Sequence, residues 1–343
     1  MNLKNINEII DSEKFAQLAD YIFSEFTSIE NFQRIIKNEN KTILETKNEK
    51  NIGYVWYVSD ELKIKSNSIV FCQADLVEYF FSIIKEYSDL KNIILITHQS
   101  DRAITGGLFR SKPHSITKWF ATNVCYYNEN LIPIPLGVNN LFYKVHPNRY
   151  DIEKVERKLL DKKENLIYSN FNINTRHFHR HNALRESIKS KFCKVETNKL
   201  NKQQYLNEIS NYRYILCPWG NGYDTHRVWE SMYLDSTPVV KKNRKFRQVL
   251  DIPLIEIDTF KNLDINKLKV KNDSIYEKLN FSYWANIIKN EVTAESNEVE
   301  INKNINFENQ HFRINKNKLN KLKSLKKQTK YFIFRVYKKF LKN

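Results

Sequence analysis

The chain has 343 residues, 41% of them apolar and 13% aromatic, which excludes a disordered or low-complexity protein and predicts two domains of roughly 150 residues each. Its formal net charge of +17 is not spread evenly. Arg313 to Lys342 holds twelve Lys or Arg and no acidic residue, which leaves +5 for residues 1–312, so the body is nearly balanced and does not read as a nucleic-acid binder.

Four scattered cysteines (Cys72, Cys125, Cys193, Cys217) form no CxxC and sit in or beside apolar runs, as buried reduced thiols do. The start, MNLKNINEIIDSEKF, lacks the apolar core of a signal peptide. No stretch approaches the roughly 20 apolar residues of a membrane span. The expectation is a cytoplasmic protein, with room for peripheral attachment to the inner face of the plasma membrane.

In chain order, NINEIIDSEKFAQLADYIFSEF (5–26) has apolar residues at helical spacing. SIVFC (68–72) predicts a buried strand, ADLVEYFFSIIKEY (74–87) a helix, and NIILITH (92–98) a second strand. A loop with Gly106 and Gly107 follows, then SITKWFATNV as a short helix and LIPIPLGV (131–138) as a strand. The charged span 147–164 breaks the pattern, which sets a boundary near residue 150. Beyond it come a strand at 165–171, the helix HRHNALRESIKSKF, a strand at 212–217, the helix HRVWESMYL, and strands at 237–240 and 253–257. The expected fold is α/β: two doubly wound, Rossmann-like domains, 1–150 and 151–290, facing a cleft. A solvated linker (291–312) and a basic amphipathic tail (313–343) complete the division.

CPWGNGYDTHRVWE (217–230) holds two of the chain's six glycines, Gly220 and Gly222, directly before a predicted helix. Pro218 ends the strand, and the glycines let the backbone approach a ligand closely. Asp224 or Thr225 suits a helix N-cap, with His226 and Arg227 in the first turn. A helix N-terminus beside an arginine is an anion site, suited to phosphate. Glu230, one turn on, can take ribose hydroxyls. The alternative is an ordinary turn followed by an ordinary surface pair. The run is neither a complete GxGxxG nor a P-loop.

CPWGNGYDTHRVWESMYLDSTPVV resembles the nucleotide-sugar motif of exostosin-like glycosyltransferases (glycosyltransferase family 47) and related bacterial polysaccharide enzymes. The match falls on Pro218, Gly220, Gly222, Asp224, Thr225, Arg227, Trp229, Glu230, Pro238, Val239 and Val240. Two positions depart from it: Trp219, where a basic residue is common, and Asp235, where glycine is usual. A weaker likeness extends to 118–140 and 281–289. The resemblance implies the two-domain GT-B architecture, with a sugar-nucleotide donor on the second domain and a glycan or lipid-linked acceptor on the first. It implies Arg227 on the diphosphate and Glu230 on the ribose. It implies no metal cofactor, and the chain contains no Asp-x-Asp triplet, in agreement.

SNFNINTRHFHRHNALR (169–185) is a second strand-to-helix loop facing the same cleft, where Asn172, Thr175, Arg176 and Arg180 can add donor contacts. His177, His179 and His181 invite a metal reading, but no further ligand with suitable spacing is near. THQSDRAITGG (97–107) carries Asp101 and His98, the best-placed candidates for the base that deprotonates an acceptor hydroxyl. Asp75 and His114 are weaker ones, and Asp101 can equally well cap a turn. No covalent-nucleophile arrangement is present, which favours single, inverting displacement. The tail interleaves Lys with Leu, then with Tyr331, Phe332, Phe334, Tyr337 and Phe340. That composition fits an anionic membrane interface; packing on the body and nucleic-acid binding are its rivals. A non-catalytic nucleotide- or glycan-binding protein on the same fold stays open beside the enzyme reading.

Overall fold

The computed structural model describes residues 5–26, 42–43, 47–49, 54–56, 64–141, 146–243, 251–269 and 275–292. All belong to one compact unit, Met1–Asn302. The expected linker beyond residue 292 and the basic tail at 313–343 lie outside the described residues.

The first half contains α1 (Ser12–Leu18), β1 (Tyr21–Phe23), β2 (Glu25–Phe26), β3 (Thr42–Ile43), β4 (Lys47–Glu49), β5 (Tyr54–Trp56) and β6 (Ile69–Gln73). These are followed by α2 (Val77–Ile84), β7 (Ile93–His98), α3 (Gly106–Arg110), β8 (Ile116–Ala121) and β9 (Leu131–Pro133). The second contains α4 (Arg149–Glu153), β10 (Glu164–Ser169), α5 (His177–Lys189), β11 (Cys193–Val195), α6 (Lys202–Asn211) and β12 (Tyr212–Leu216). After it come α7 (His226–Tyr233), β13 (Thr237–Lys241), β14 (Ile255–Ile257) and α8 (Phe281–Asn290).

Among the described residues the strands form two all-parallel sheets, ordered β3-β1-β6-β7-β8-β9 and β11-β10-β12-β13-β14, beside a small antiparallel β2-β5-β4 sheet. Each parallel sheet starts inside, steps outward once, and then runs the other way. That order places a switch point between β1 and β6 in one sheet and between β10 and β12 in the other. The fold is therefore α/β with two Rossmann-like halves, a GT-B-like arrangement.

Burial on both faces explains the apolar strands. In the second sheet Ile167, Leu216, Val239 and Ile255 pack with Ala183 of α5 and with Phe260. On the other face Tyr168, Ile215 and Val240 meet Leu206 and Ile209 of α6 and Val228, Trp229 and Met232 of α7. This second cluster continues into the first half through Ile9, Phe15, Phe71, Ile96 and Phe120. Tyr233 Oη accepts from Ile10 N at 3.0 Å and donates to the Leu279 carbonyl at 2.9 Å. The chain also returns to the first half: Phe281 N donates to the Glu8 carbonyl at 2.9 Å, and the Phe281 ring lies edge-on to Phe15 of α1.

Several expectations are corrected. The helical period at 5–26 yields only α1, capped by Asp11, because Tyr21–Phe23 is recruited as a buried strand between β3 and β6. SITKWFATNV is strand β8, with Trp119, Phe120 and Ala121 buried in succession as two-sided burial requires. LIPIPLGV forms a strand only over 131–133, with one further parallel bridge from Val138 to Asp11, since Pro133 and Pro135 offer no N–H to a ladder. The glycines at 106 and 107 open α3, capped by the Thr105 hydroxyl.

Candidate functional site

The second switch point lies between Ser169, which ends β10, and Leu216, which ends β12. The loops that leave these strands, 170–176 and 217–225, lead into α5 and α7. Side chains cap the starts of α1, α3, α4 and α6. α2, α5, α7 and α8 have no such cap, and of these α5 and α7 follow the strands at the switch point. Arg176, before α5, adopts a left-handed φ of 46°, and Thr225 precedes α7 in extended form. Both helices thus turn uncapped N-termini toward the carboxyl ends of the strands.

Arg227, in the first turn of α7, is half-buried. Its guanidinium lies over the Tyr205 ring, 5.3 Å from the centroid, and makes no hydrogen bond or ion pair among the described residues. The ordinary Arg227–Glu230 surface pair, the alternative reading of this motif, does not form among the described residues: Tyr205 meets both side chains. The tyrosine's hydroxyl donates to Glu230 Oε2 at 2.7 Å. Glu230 is buried, which pushes its carboxyl pKa up against the opposing pull of Arg227 and the Tyr205 bond.

The two glycines are needed for protein neighbours. A Cβ on Gly220 would lie 2.9 Å from Arg180 Nη2. One on Gly222 would lie 2.9 Å from Asp101 Oδ1 and 3.1 Å from Asn123 Nδ2. Close approach is what glycine permits here, but the groups admitted are the chain's own side chains. Arg180 is buried and spends its guanidinium on the carbonyls of Trp219 (2.8 Å), Asn172 (2.7 Å) and Pro218 (3.4 Å). Burial, then Arg227, push its pKa down to about 10. Arg176 donates to the carbonyls of Gly220 (3.1 Å) and Asn221 (3.2 Å) and covers the Tyr223 ring. Asn172 turns its own loop by accepting from Asn174 N at 2.8 Å. Arg180, Arg176 and Asn172 therefore shape the loop rather than offer free donors.

Asp224 is similarly committed. Its carboxylate accepts from Leu136 N (3.0 Å), Thr225 N (2.8 Å) and Trp229 Nε1 (3.0 Å to each oxygen). Burial pushes its pKa up to about 6 despite these donors. The motif's Asp and Trp thus fix one another and tie α7 to the first half. Asn123, two residues past β8 with φ 54°, completes the tie. Its Oδ1 accepts from Tyr223 N (2.8 Å) and Asp224 N (3.0 Å), and its Nδ2 donates to the Ser100 carbonyl (3.2 Å). His226 Nδ1 donates to the Gly137 carbonyl at 2.8 Å.

Of the two base candidates, His98 is withdrawn. It is buried, its Nε2 donates to the Pro135 carbonyl (3.1 Å), and its Nδ1 accepts from Gln99 N (2.8 Å). Burial pushes its pKa down to about 3. No ring nitrogen is left for a substrate proton. Asp101 is exposed beside Gly222, and its carboxylate accepts no hydrogen bond among the described residues.

Trp219, where the resembling motif is often basic, stacks on His179 with ring centroids 4.3 Å apart. His179 also meets Phe260, and burial pushes its pKa down to about 4. Asp235 takes a left-handed φ of 55°, the conformation for which glycine is usual there. Among the described residues no group of three or more His, Cys, Asp or Glu is arranged to hold a metal ion, and the side chain of His177 lies outside them. Buried polar atoms without a partner include Ser169 Oγ, Thr175 Oγ1, His179 Nε2 and Thr225 Oγ1, all at this end of the second sheet. Among the described residues no helix is long and apolar enough to cross a membrane.

Asn123 and Tyr205 had no local signal in the sequence. Asn123 lies in a loop two residues past β8, and Tyr205 in the middle of α6, with no motif around either. No protein-family model matches the chain, and no curated protein sequence matches it. What the fold and site define is a two-half α/β protein with an unneutralised arginine at an uncapped helix start.

Proposed function

We propose that the protein is a glycosyltransferase that moves a sugar from a nucleotide-sugar donor to a glycan or lipid-linked glycan hydroxyl, with inversion and without a required metal. The observation that carries this reading is Arg227: a half-buried guanidinium with no acceptor, at the uncapped start of α7, beside the switch point where α/β folds bind ligands. A diphosphate would satisfy the guanidinium and the free N–H groups together. As the bond to the sugar breaks, negative charge grows on that diphosphate, and a fixed positive field there stabilises the transition state. The orphaned hydroxyls of Thr175 and Thr225 add support. Glu230, held by Tyr205 one turn along α7, is the ribose candidate that the resemblance supplies. Tail composition supports attachment to an anionic membrane interface from the cytoplasmic side.

Calorimetry with UDP, GDP and CMP, without metal, tests the donor reading. One nucleotide should bind wild type at micromolar Kd. Arg227→Ala should weaken it by about 30-fold or more, as for a lost charge-assisted bond pair. Equal binding to wild type and Arg227→Ala, or none to either, would overturn it.

A further inference from the structure

We infer that His226 is the general base of the transfer, accepting the proton of the acceptor hydroxyl at Nε2. The inference rests on the donor reading of the Arg227 site. His226 directly precedes Arg227, but its imidazole turns to the opposite half: Nδ1 meets the Gly137 carbonyl at 2.8 Å. A carbonyl only accepts, so Nδ1 carries the hydrogen and Nε2 carries the lone pair. Nε2 has no hydrogen-bond partner among the described residues. Gly137 is fixed in its turn, since its φ is +68° and a Cβ there would lie 2.2 Å from the Ile10 carbonyl oxygen. The tautomer is therefore set by backbone that cannot easily move.

The charged and titratable groups facing the ring are Asp101, His146 and His98. Asp101 favours the imidazolium, and burial and His146 favour the neutral ring. His98 is held neutral by its own burial. The ring thus starts neutral, and the Asp101 carboxylate balances the charge it gains. In the step, the acceptor hydroxyl gives its proton to Nε2 as its oxygen bonds the anomeric carbon. The bond from that carbon to the diphosphate oxygen breaks, and its electron pair leaves with the nucleoside diphosphate beside Arg227. Asp101, first read as the base, becomes a positioning residue.

The test uses the full chain, UDP and GDP in calorimetry, and release of nucleoside diphosphate from UDP-glucose, UDP-galactose, UDP-N-acetylglucosamine and GDP-mannose across pH. His226→Gln, which can still donate to Gly137, should bind the nucleotide within about threefold of wild type while turnover falls by about 100-fold or more. Its acid limb, where activity rises as the imidazole deprotonates, should vanish. Asp101→Asn should move that limb to lower pH, because a group favouring the imidazolium is gone. Loss of nucleotide binding in His226→Gln would make the residue a donor contact and overturn the proposal. So would retained turnover, or an acid limb that persists in His226→Gln. Absence of nucleotide binding or of release by wild type would overturn it as well, and absent binding alone would show the donor reading to be at fault.

Discussion

Tyr205 carries the Arg227 guanidinium 5.3 Å above its ring and gives its hydroxyl to Glu230 at 2.7 Å, so one side chain holds a cation and an anion apart. A direct ion pair would neutralise the arginine; the intervening ring leaves its donors unspent. Tyr205→Phe should keep the platform and leave a buried carboxylate short of a partner. The expected cost is about 1–3 kcal/mol of stability in urea unfolding, with diphosphate affinity changed by less than about threefold. Tyr205→Ala should lose both stability and affinity.

Gly222→Ala tests the junction between the halves. The new Cβ would lie 2.9 Å from Asp101 Oδ1 and 3.1–3.2 Å from the Asn123 carboxamide. Asp101 is exposed and can swing away, whereas Asn123 is fixed by three hydrogen bonds. A loss of about 1–3 kcal/mol is expected, as for other overpacked positions. Asp101→Ala on the same chain should recover only part of it, read as a shift in urea midpoint.

Asn123→Ala would leave the N–H groups of Tyr223 and Asp224 without their acceptor. One buried and one part-buried donor at the usual cost predict a loss of about 1–4 kcal/mol. Asn123→Asp keeps the acceptor and gives up the bond to the Ser100 carbonyl, so it should cost less. Differential scanning calorimetry of the three proteins orders them directly.

His98 makes stability depend on acid. Its folded pKa, about 3, lies below the ordinary value of 6.5, so the unfolded chain binds the extra proton first. Its contribution is complete above pH 6.5 and declines as pH falls toward 3. Between pH 6.5 and 5 that amounts to about 2 kcal/mol from this group. Asp224, raised to about 6, acts with the opposite sign: burying its charge costs most above pH 6, and that cost fades as pH falls toward 3.8. In His98→Gln the urea midpoint at pH 5 should rise above that at pH 7, and in Asp224→Asn it should fall further below it than in wild type.

The strands at SIVFC, NIILITH, YRYILC and TPVV were legible because parallel strands buried on both faces are continuous apolar runs. Tyr21–Phe23 was not, since it follows a helical period without a break and becomes a strand through its neighbours β3 and β6. SITKWFATNV carries no clean period, and only the burial of Trp119 through Ala121 decides it. At the site, Gly220 and Gly222 announced a close approach, but sequence cannot say what approaches. Arg180, Asp101 and Asn123 come from 40 to 121 residues away. Asp224 read as a cap or donor contact because its true partners, Leu136 N and the Trp229 indole, are set by tertiary packing.

The chain crosses between the halves twice, once after β9 and again before α8, whose first residues bond to Glu8. The two crossings, together with the bonds from Asn123, Leu136 and Gly137 to residues 223–226, fasten the halves at several separate points, so no one of these bonds can be lost to a relative displacement of the halves without straining the others.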